Sequence, residues 1–447
     1  MRWLVLVVAF GCSSSHPGTT SPDGSVGSDG STMPGSDGGV DAAVLGNACP
    51  TQVTEVARIT GALSDYPYDL VQLLVGDVDH DGKDDLVAVE GQSDSANQRY
   101  LLRIRAFVRT ATGFAAPVQS DLIFPYYGPE QIVLGDFNGD HRPDILLSYT
   151  DSGDESRTSY VYVALQQPDH TFVLGSGIDV SACSFSDDER LFALAVIDAN
   201  RDGYDDVLAT VSYDGLGAAP AGLSYLAGSA SGLGYATCAR SASAPNAGYP
   251  LDMVTAERFA TGDFDGDGKR DVVGLYSDHA TSFLSTAASQ LTEGAATASL
   301  DEYAFVATDH VAARTDRGLV ALSTTETGST AKRYAIASNG VANGASIASL
   351  TEDDGGWGIL RGFAVGDFNG DGYTDLIEVG YHDYSDNYPD PISFGMACDR
   401  SADWQASTGM FPNGIYNLRA IDYAGAGTSD VVVREGSDYD LVIYQLH

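Results

Sequence analysis

The sequence predicts an all-β chain: a seven-bladed β-propeller of four-stranded blades, closed by an N-terminal strand and carrying calcium-binding turns. Three observations lead there. One acidic loop recurs five times, beginning at Asp77, Asp136, Asp198, Asp263 and Asp367, at intervals of 59, 62, 65 and 104 residues. The runs on both sides of each loop have β character, as in "DLVAV" and "DVVGL". No window of ten residues has helical periodicity.

The blade count follows from the spacing. The interval of 104 is twice 52, so a worn copy is expected near residues 307–323, "ATDHVAARTDRGLVALS". A second worn copy begins at Asp422, 55 residues after Asp367. Five intact and two degenerate copies make seven, and a fixed period of this length marks a solenoid or a propeller. Each copy holds four strand-like runs, which selects the propeller. The last copy, from about Ile415, holds only three: "YNLRAID", "DVVVRE" and "LVIYQLH". The segment "TQVTEVARI", residues 51–59, is free to supply the fourth, a pairing that closes the ring and removes exposed edges.

The chain has 447 residues, 23 Lys plus Arg against 62 Asp plus Glu, and a formal net charge of −39. Nucleic acid is excluded as a partner, because phosphate binding needs a basic face. At the N-terminus, Arg2 precedes an apolar run from Trp3 to Phe10, too short to span a bilayer and suited to an export signal over residues 1–11. The stretch Ala9-Phe10-Gly11-Cys12 resembles a bacterial lipobox, after which Cys12 carries lipid. An outer-membrane or cell-surface lipoprotein is expected, touching the membrane only through that anchor; the alternative is a periplasmic or secreted soluble protein. Residues 12–47 are then the lipidated cysteine and a Ser/Gly/Asp-rich tether with too little apolar surface to offset its ordering entropy. Residues 48–447 are the propeller.

Without Cys12, four cysteines remain: Cys49, Cys183, Cys238 and Cys398. In an exported protein they are expected to form two disulfides. Cys183 and Cys238 lie about one blade apart and are placed to staple neighbouring blades; Cys49 then pairs with Cys398.

Each acidic loop offers oxygens at positions 1, 3, 5 and 9, and a backbone carbonyl at position 7. The sets are Asp77, Asp79, Asp81, Lys83 and Asp85; Asp136, Asn138, Asp140, Arg142 and Asp144; Asp198, Asn200, Asp202, Tyr204 and Asp206. The last two are Asp263, Asp265, Asp267, Lys269 and Asp271; and Asp367, Asn369, Asp371, Tyr373 and Asp375. Five or six hard oxygens at one point suit Ca²⁺, whereas Mg²⁺ resists losing its waters. Gly82, Gly203, Gly268 and Gly372 hold position 6, where a positive φ is needed; His141 stands there in the second copy. About five calcium ions are expected, moving the formal charge from −39 to −29. The copy at Asp422 has Ala424 and Ala426 at positions 3 and 5, so no metal is expected in it. The copy at Asp367 also has Glu378 at position 12, which completes an EF-hand pattern. The other copies have Ala88, Leu147, Ala209 and Gly274 there, so Glu378 is read as part of a strand.

The loops, their spacing and the turn "TGFAAP" at residues 112–117 resemble FG-GAP or VCBS repeats, the units of integrin-α-type propellers. The resemblance covers roughly residues 50–447. It implies calcium in the turn between the first two strands of a blade, and extracellular work such as adhesion or ligand binding; some relatives are lectins or polysaccharide-active enzymes. It does not identify a ligand.

On the face opposite the calcium turns, the loops bring aromatic residues beside carboxylates and proline. Tyr66, Tyr68, Tyr126, Tyr127, Tyr249, Trp357, Tyr384 and Tyr388 are candidates for contacting an extracellular protein or a glycan. The alternative is that these rings pack between blades. For catalysis there is no HExxH, GxSxG, phosphate loop or CxxC. His382 with Tyr384 is the nearest approach to an acid–base couple, but a lone His–Tyr pair in a loop reads as solvated, and no catalytic residue is assigned. A calcium-stabilised, surface-tethered binding, adhesion or scaffold propeller is the favoured reading, with a glycosidase or polysaccharide lyase on the same scaffold as the alternative.

Overall fold

The computed structural model describes residues 50–447 except 51, 65–67, 126–127, 152–157, 184–188, 214–221, 242–252, 254–257, 265–266, 268, 277–278, 286–290, 295–304, 310–317, 326–327, 338–339, 342–344, 352–357, 370–374, 383–392, 398–414, 426–427 and 436–438. The described residues form antiparallel sheets without an α-helix. Cys12, Cys49, Cys398, Tyr66, Tyr126, Tyr127, Tyr249, Trp357, Tyr384 and Tyr388 lie outside them, as do Asp265, Asp371 and Tyr373.

Among the described residues seven main sheets follow one another along the chain. The first is Asp69–Gly76, Asp85–Asp94, Arg99–Phe107 and Val118–Pro125, each strand pairing with the next. The first strands of the following sheets are Gln131–Gly135, Glu189–Ile197, Arg258–Gly262, Phe305–Asp309, Gly358–Gly366 and Ile415–Ile421. The worn copy near residues 307–323 thus contributes a paired hairpin, Phe305–Asp309 with Gly318–Thr325. The sixth sheet has three described strands. In the seventh, Ile415–Ile421, Asp430–Glu435 and Asp440–Leu446 are joined on the outside by Val53–Ile59, with Val53 opposite Leu446 and Ile59 opposite Leu441.

In the first two sheets the second strand begins with a continuous apolar run because it is covered on both faces. Leu86, Val87, Ala88 and Val89 are fully buried, as are Ile145, Leu146 and Leu147 in the second sheet. The cores therefore lie between sheets. One cluster joins the first and second sheets through Leu74, Val87, Ile104, Phe124, Ile132 and Ile145. Another joins the seventh to the first through Ile421, Val432 and Ile443 against Leu73, Leu86 and Phe107. The inner strands Ile415–Ile421 and Asp69–Gly76 also touch. Across that seam Arg419, 4% exposed, donates from Nε to the carbonyl of Leu73 at 3.0 Å. Gln72 makes the matching bond to the carbonyl of Ile132 at 3.2 Å.

The connection from Val53–Ile59 into the first sheet is held at several points. Gly61 N donates to Asp440 Oδ1 at 2.8 Å and Leu63 N to the carbonyl of Tyr439 at 3.0 Å. The buried Glu90 accepts from Ser64, whose Oγ in turn accepts from Arg103 and Arg105 at 2.8 Å each. The disulfide Cys183–Cys238 forms, with Cα atoms 4.7 Å apart. It ties the connector ahead of the third sheet to that sheet's own outer strand, Thr237–Ser241, rather than stapling two blades.

Candidate metal centres

The acidic loops lie between the first and second strands of their sheets, and those at Asp77, Asp136 and Asp198, described in full, are tight turns. In the first, Asp77 Oδ1 accepts from Asp81 N at 3.0 Å and Oδ2 from Gly82 N at 2.8 Å. Asp79 Oδ1 accepts from Asp81 N at 3.1 Å, and Asp81 Oδ1 from Lys83 N at 3.0 Å. The same ladder recurs at Asp136, where Oδ1 accepts from Gly139 and Asp140 and Oδ2 from His141, and at Asp198, where it accepts from Asp202 and Gly203. The turn needs positive φ at position 6: 81° at Gly82, 63° at His141 and 91° at Gly203. His141 thus adopts the glycine conformation.

Position 4 is left-handed too, at His80, Gly139, Arg201 and Gly425, with φ between 62° and 70°. The sequence offered a signal for this, since glycine also stands at position 4 as Gly266 and Gly370. At Gly139 the reason is doubled, because a Cβ there would lie 2.4 Å from the ring of Tyr204 in the next loop.

Position 9 has a further role. Asp85, Asp144, Asp206, Asp271 and Asp375 are all fully buried. In each, Oδ2 accepts the N–H of position 2: Val78 at 2.7 Å, Phe137 at 3.2 Å, Ala199 at 3.0 Å, Phe264 at 2.9 Å and Phe368 at 2.8 Å. In the first four, Oδ1 also accepts a backbone N–H from the end of the third strand or just past it, at Arg109, Gln166, Gly228 and Ser285. This aspartate clamps the loop to its own sheet. The clamp persists at Asp430, which accepts from the backbone of Tyr423 and Ala424 although positions 3 and 5 are alanine. Burial drives these carboxyls upward, to about 7 at Asp85 and Asp144 and about 6 at Asp206 and Asp430.

Position 2 fills the gap to the neighbouring sheet. Phe137, Phe264 and Phe368 are buried there, as are Val78 and Ala199. Position 12 also faces the core at Ala88, Leu147 and Ala209, and Glu378 lies within the strand Asp375–His382 opposite Phe363. No helix flanks any described loop, so the EF-hand pattern at residues 367–378 is coincidental.

Carboxylate oxygens of Asp77, Asp79 and Asp85 lie within 4.8 Å of one another. Asp77 and Asp79 are half-buried at the surface with Asp85 beneath them. Such a set of hard oxygens can hold a divalent cation. The position 7 side chains Lys83 and Arg142 pair with Asp81 and Asp140. Asn138 and Asn200 at position 3 donate to Asp140 and Asp202. In the fourth loop Lys269 N donates to Asp267 Oδ1 at 2.8 Å, and Asp263 is half-buried beside the buried Asp271. In the loop at Asp367, Asn369 N bonds the clamp Asp375 at 3.1 Å.

Of the aromatic candidates, Tyr68 is described, and it is engaged. The Arg103 guanidinium lies 4.3 Å from its ring centroid while its Nε bonds Asp121 at 2.8 Å. One face of this ring is therefore covered by Arg103.

These turns, set between the first two strands of successive sheets, define a propeller-like repeat protein. The chain carries FG-GAP-like repeats: residues 77–147 and 136–209 match that family. Among solved structures it is similar to BBS1N in complex with ARL6DN, soaked with lead, at a TM-score of 0.45 and 10% identity over 89% of this chain and 98% of that one. It is also similar to the V. cholerae biofilm matrix protein Bap1, at a TM-score of 0.29 and 10% identity over 88% and 91%. No curated protein matches the chain by sequence.

Proposed function

We propose that this chain is a calcium-stabilised, surface-tethered binding or scaffold propeller that engages an extracellular protein or glycan. The observation that carries the reading is the convergence of Asp77, Asp79 and Asp85 within 4.8 Å, in a loop that recurs five times. In the second to fifth loops the corresponding holders are Asp136, Asn138, Asp140 and Asp144; Asp198, Asn200, Asp202 and Asp206; Asp263, Asp265, Asp267 and Asp271; and Asp367, Asn369, Asp371 and Asp375. Bound calcium would neutralise carboxylates that otherwise repel within each turn.

A seven-bladed ring closed by the N-terminal strand is the architecture this reading adopts. It is supported by the pairing of Val53–Ile59 with Asp440–Leu446 and by the packing of Ile421 and Ile443 against Leu73 and Leu86. Export is supported by the Cys183–Cys238 disulfide. The tether 13–47 behind a lipidated Cys12 would hold the propeller clear of a membrane surface.

Melting the full exported chain in calcium and in EDTA tests the metal reading: chelation is expected to lower Tm, and coincident curves would refute it. A glycan array run with and without calcium tests the partner. Retained, unshortened sugar supports binding, whereas shortened sugar would make the protein an enzyme.

A further inference from the structure

The loops are joined to one another by position 8, a residue that offers no ligand. In the loop at Asp198 this is Asp205. Its Oδ2 accepts from Asp136 N at 2.9 Å, and its own N–H donates to the carbonyl of Asp136 at 2.9 Å. Asp205 therefore brackets the backbone of position 1 in the preceding repeat. The same joint recurs from the loop at Asp422. Ser429 Oγ accepts from Asp367 N at 3.1 Å, and Ser429 N donates to the carbonyl of Asp367 at 2.7 Å. From the first loop, Asp84 Oδ2 accepts from Asp422 N at 2.9 Å, which carries the joint across the seam between the seventh sheet and the first.

Among the loops whose position 8 is described, two lack this joint, each for a chemical reason. Position 8 of the second loop is Pro143, which has neither an N–H nor a side-chain acceptor to offer Asp77. Gln166 Nε2 bonds the carbonyl of Val78 there instead, at 2.8 Å. Position 8 of the fourth loop is Arg270, a donor, which reaches the carbonyl of Val196 at 3.4 Å and Asp205 Oδ2 at 3.5 Å. It cannot accept from Asp198 N.

Asp205 stands between Tyr204 and Asp206, positions 7 and 9 of its own loop, and the ring of Tyr204 rests on Gly139 of the preceding one. Ordering the loop at Asp198 therefore fixes two groups that set the loop at Asp136. We infer that Asp205 and Ser429 are positioning residues for the cation sites of the preceding repeats, at Asp136 and Asp367. Through Asp205 the turns at Asp136 and Asp198 take up calcium cooperatively. This rests on the calcium reading above. By linkage the coupling is mutual, so disabling either turn weakens the other. The turns at Asp77 and Asp198 receive no such bracket from the loop that follows them.

Calcium titration calorimetry on the full exported chain tests this. Ser429→Ala is the clean variant, because its own turn carries Ala424 and Ala426 and has no calcium set to perturb. It is expected to weaken one binding event about tenfold, the loss of a hydrogen bond that places a charged ligand. Asp205→Ala is expected to weaken the coupled events at Asp136 and Asp198 and abolish their cooperativity, and Asp205→Asn, which keeps an acceptor oxygen, to restore most of the affinity. A double-mutant cycle separates positioning from damage to the residue's own loop. Added to Asp136→Ala, Asp205→Ala should change the remaining events no further. Equal losses in both backgrounds, or unchanged binding in Ser429→Ala protein of unaltered circular dichroism, would overturn the inference and leave the calcium reading standing. A native chain that takes up no calcium overturns both.

Discussion

Asp430→Ala probes whether position 9 clamps the fold or only holds metal. Asp430 is 2% exposed, accepts from two backbone N–H groups of its turn, and sits in a repeat without the acidic ligands at positions 3 and 5. Alanine leaves both donors without their acceptor, at about 1–3 kcal/mol for the half-buried Tyr423 and about 1 kcal/mol for the exposed Ala424, whose N–H can turn to water, for an expected loss of about 2–4 kcal/mol. Titration modulates that loss. Burial raises the carboxyl from 3.8 to about 6, so its ionised form is penalised in the folded chain. A folded-state pKa above the unfolded value gives stability that is full below the unfolded pKa and lost as pH rises through about 6. By pH 8 the penalty reaches about 3 kcal/mol at most, at about 1.4 kcal/mol for each pKa step of one. Alanine escapes it, so the deficit should be smaller at pH 8, about 2 kcal/mol or less, than at pH 5, where only part of the penalty has developed. Urea unfolding at both pH values, each in calcium and in EDTA, reads this out. A deficit that appears only in calcium, or that grows with pH, would falsify the clamp.

The clamps in the acidic loops extend the same sign. In EDTA, Asp85 and Asp144 at about 7 and Asp206 at about 6 should make the protein melt higher at pH 5 than at pH 8. Calcium, which favours the ionised carboxylates, should shrink or invert that difference; identical pH profiles with and without calcium would contradict it. Phe137→Ala empties a fully buried site between the second and third sheets and should cost about 3–5 kcal/mol, measured by urea midpoint at unchanged m. Deleting residues 50–59 removes a strand paired along Asp440–Leu446 and uncovers Leu441 and Ile443. A truncated chain that melts like the intact one would show that this strand contributes nothing to the fold.

The acidic turns were legible because their demands are local. A loop that must offer oxygens at alternate positions and bend at position 6 needs Asp, Asn and Gly at fixed offsets, and five repetitions raise that pattern above chance. The strands beside them were legible because a sheet covered on both faces needs an unbroken apolar run. The pairing of Val53–Ile59 followed from counting strands in the last repeat. At Tyr68 the structure adds a contact that local sequence does not show: Arg103, 35 positions away, lies against its ring.

What the sequence by itself determined is the repeat, its period and the residues that can face a cation, since each depends on near neighbours in the chain. Only the tertiary structure decided the rest. It gave position 9, read from the sequence as a ligand, a second role as a buried clamp that persists at Asp430, where positions 3 and 5 are alanine. It made position 2 a wedge between sheets, and position 8 the joint by which Asp205 grips Asp136 and Ser429 grips Asp367. Those roles depend on which backbone N–H meets which oxygen across 69 or 62 residues of chain, and only packing one sheet against the next sets that.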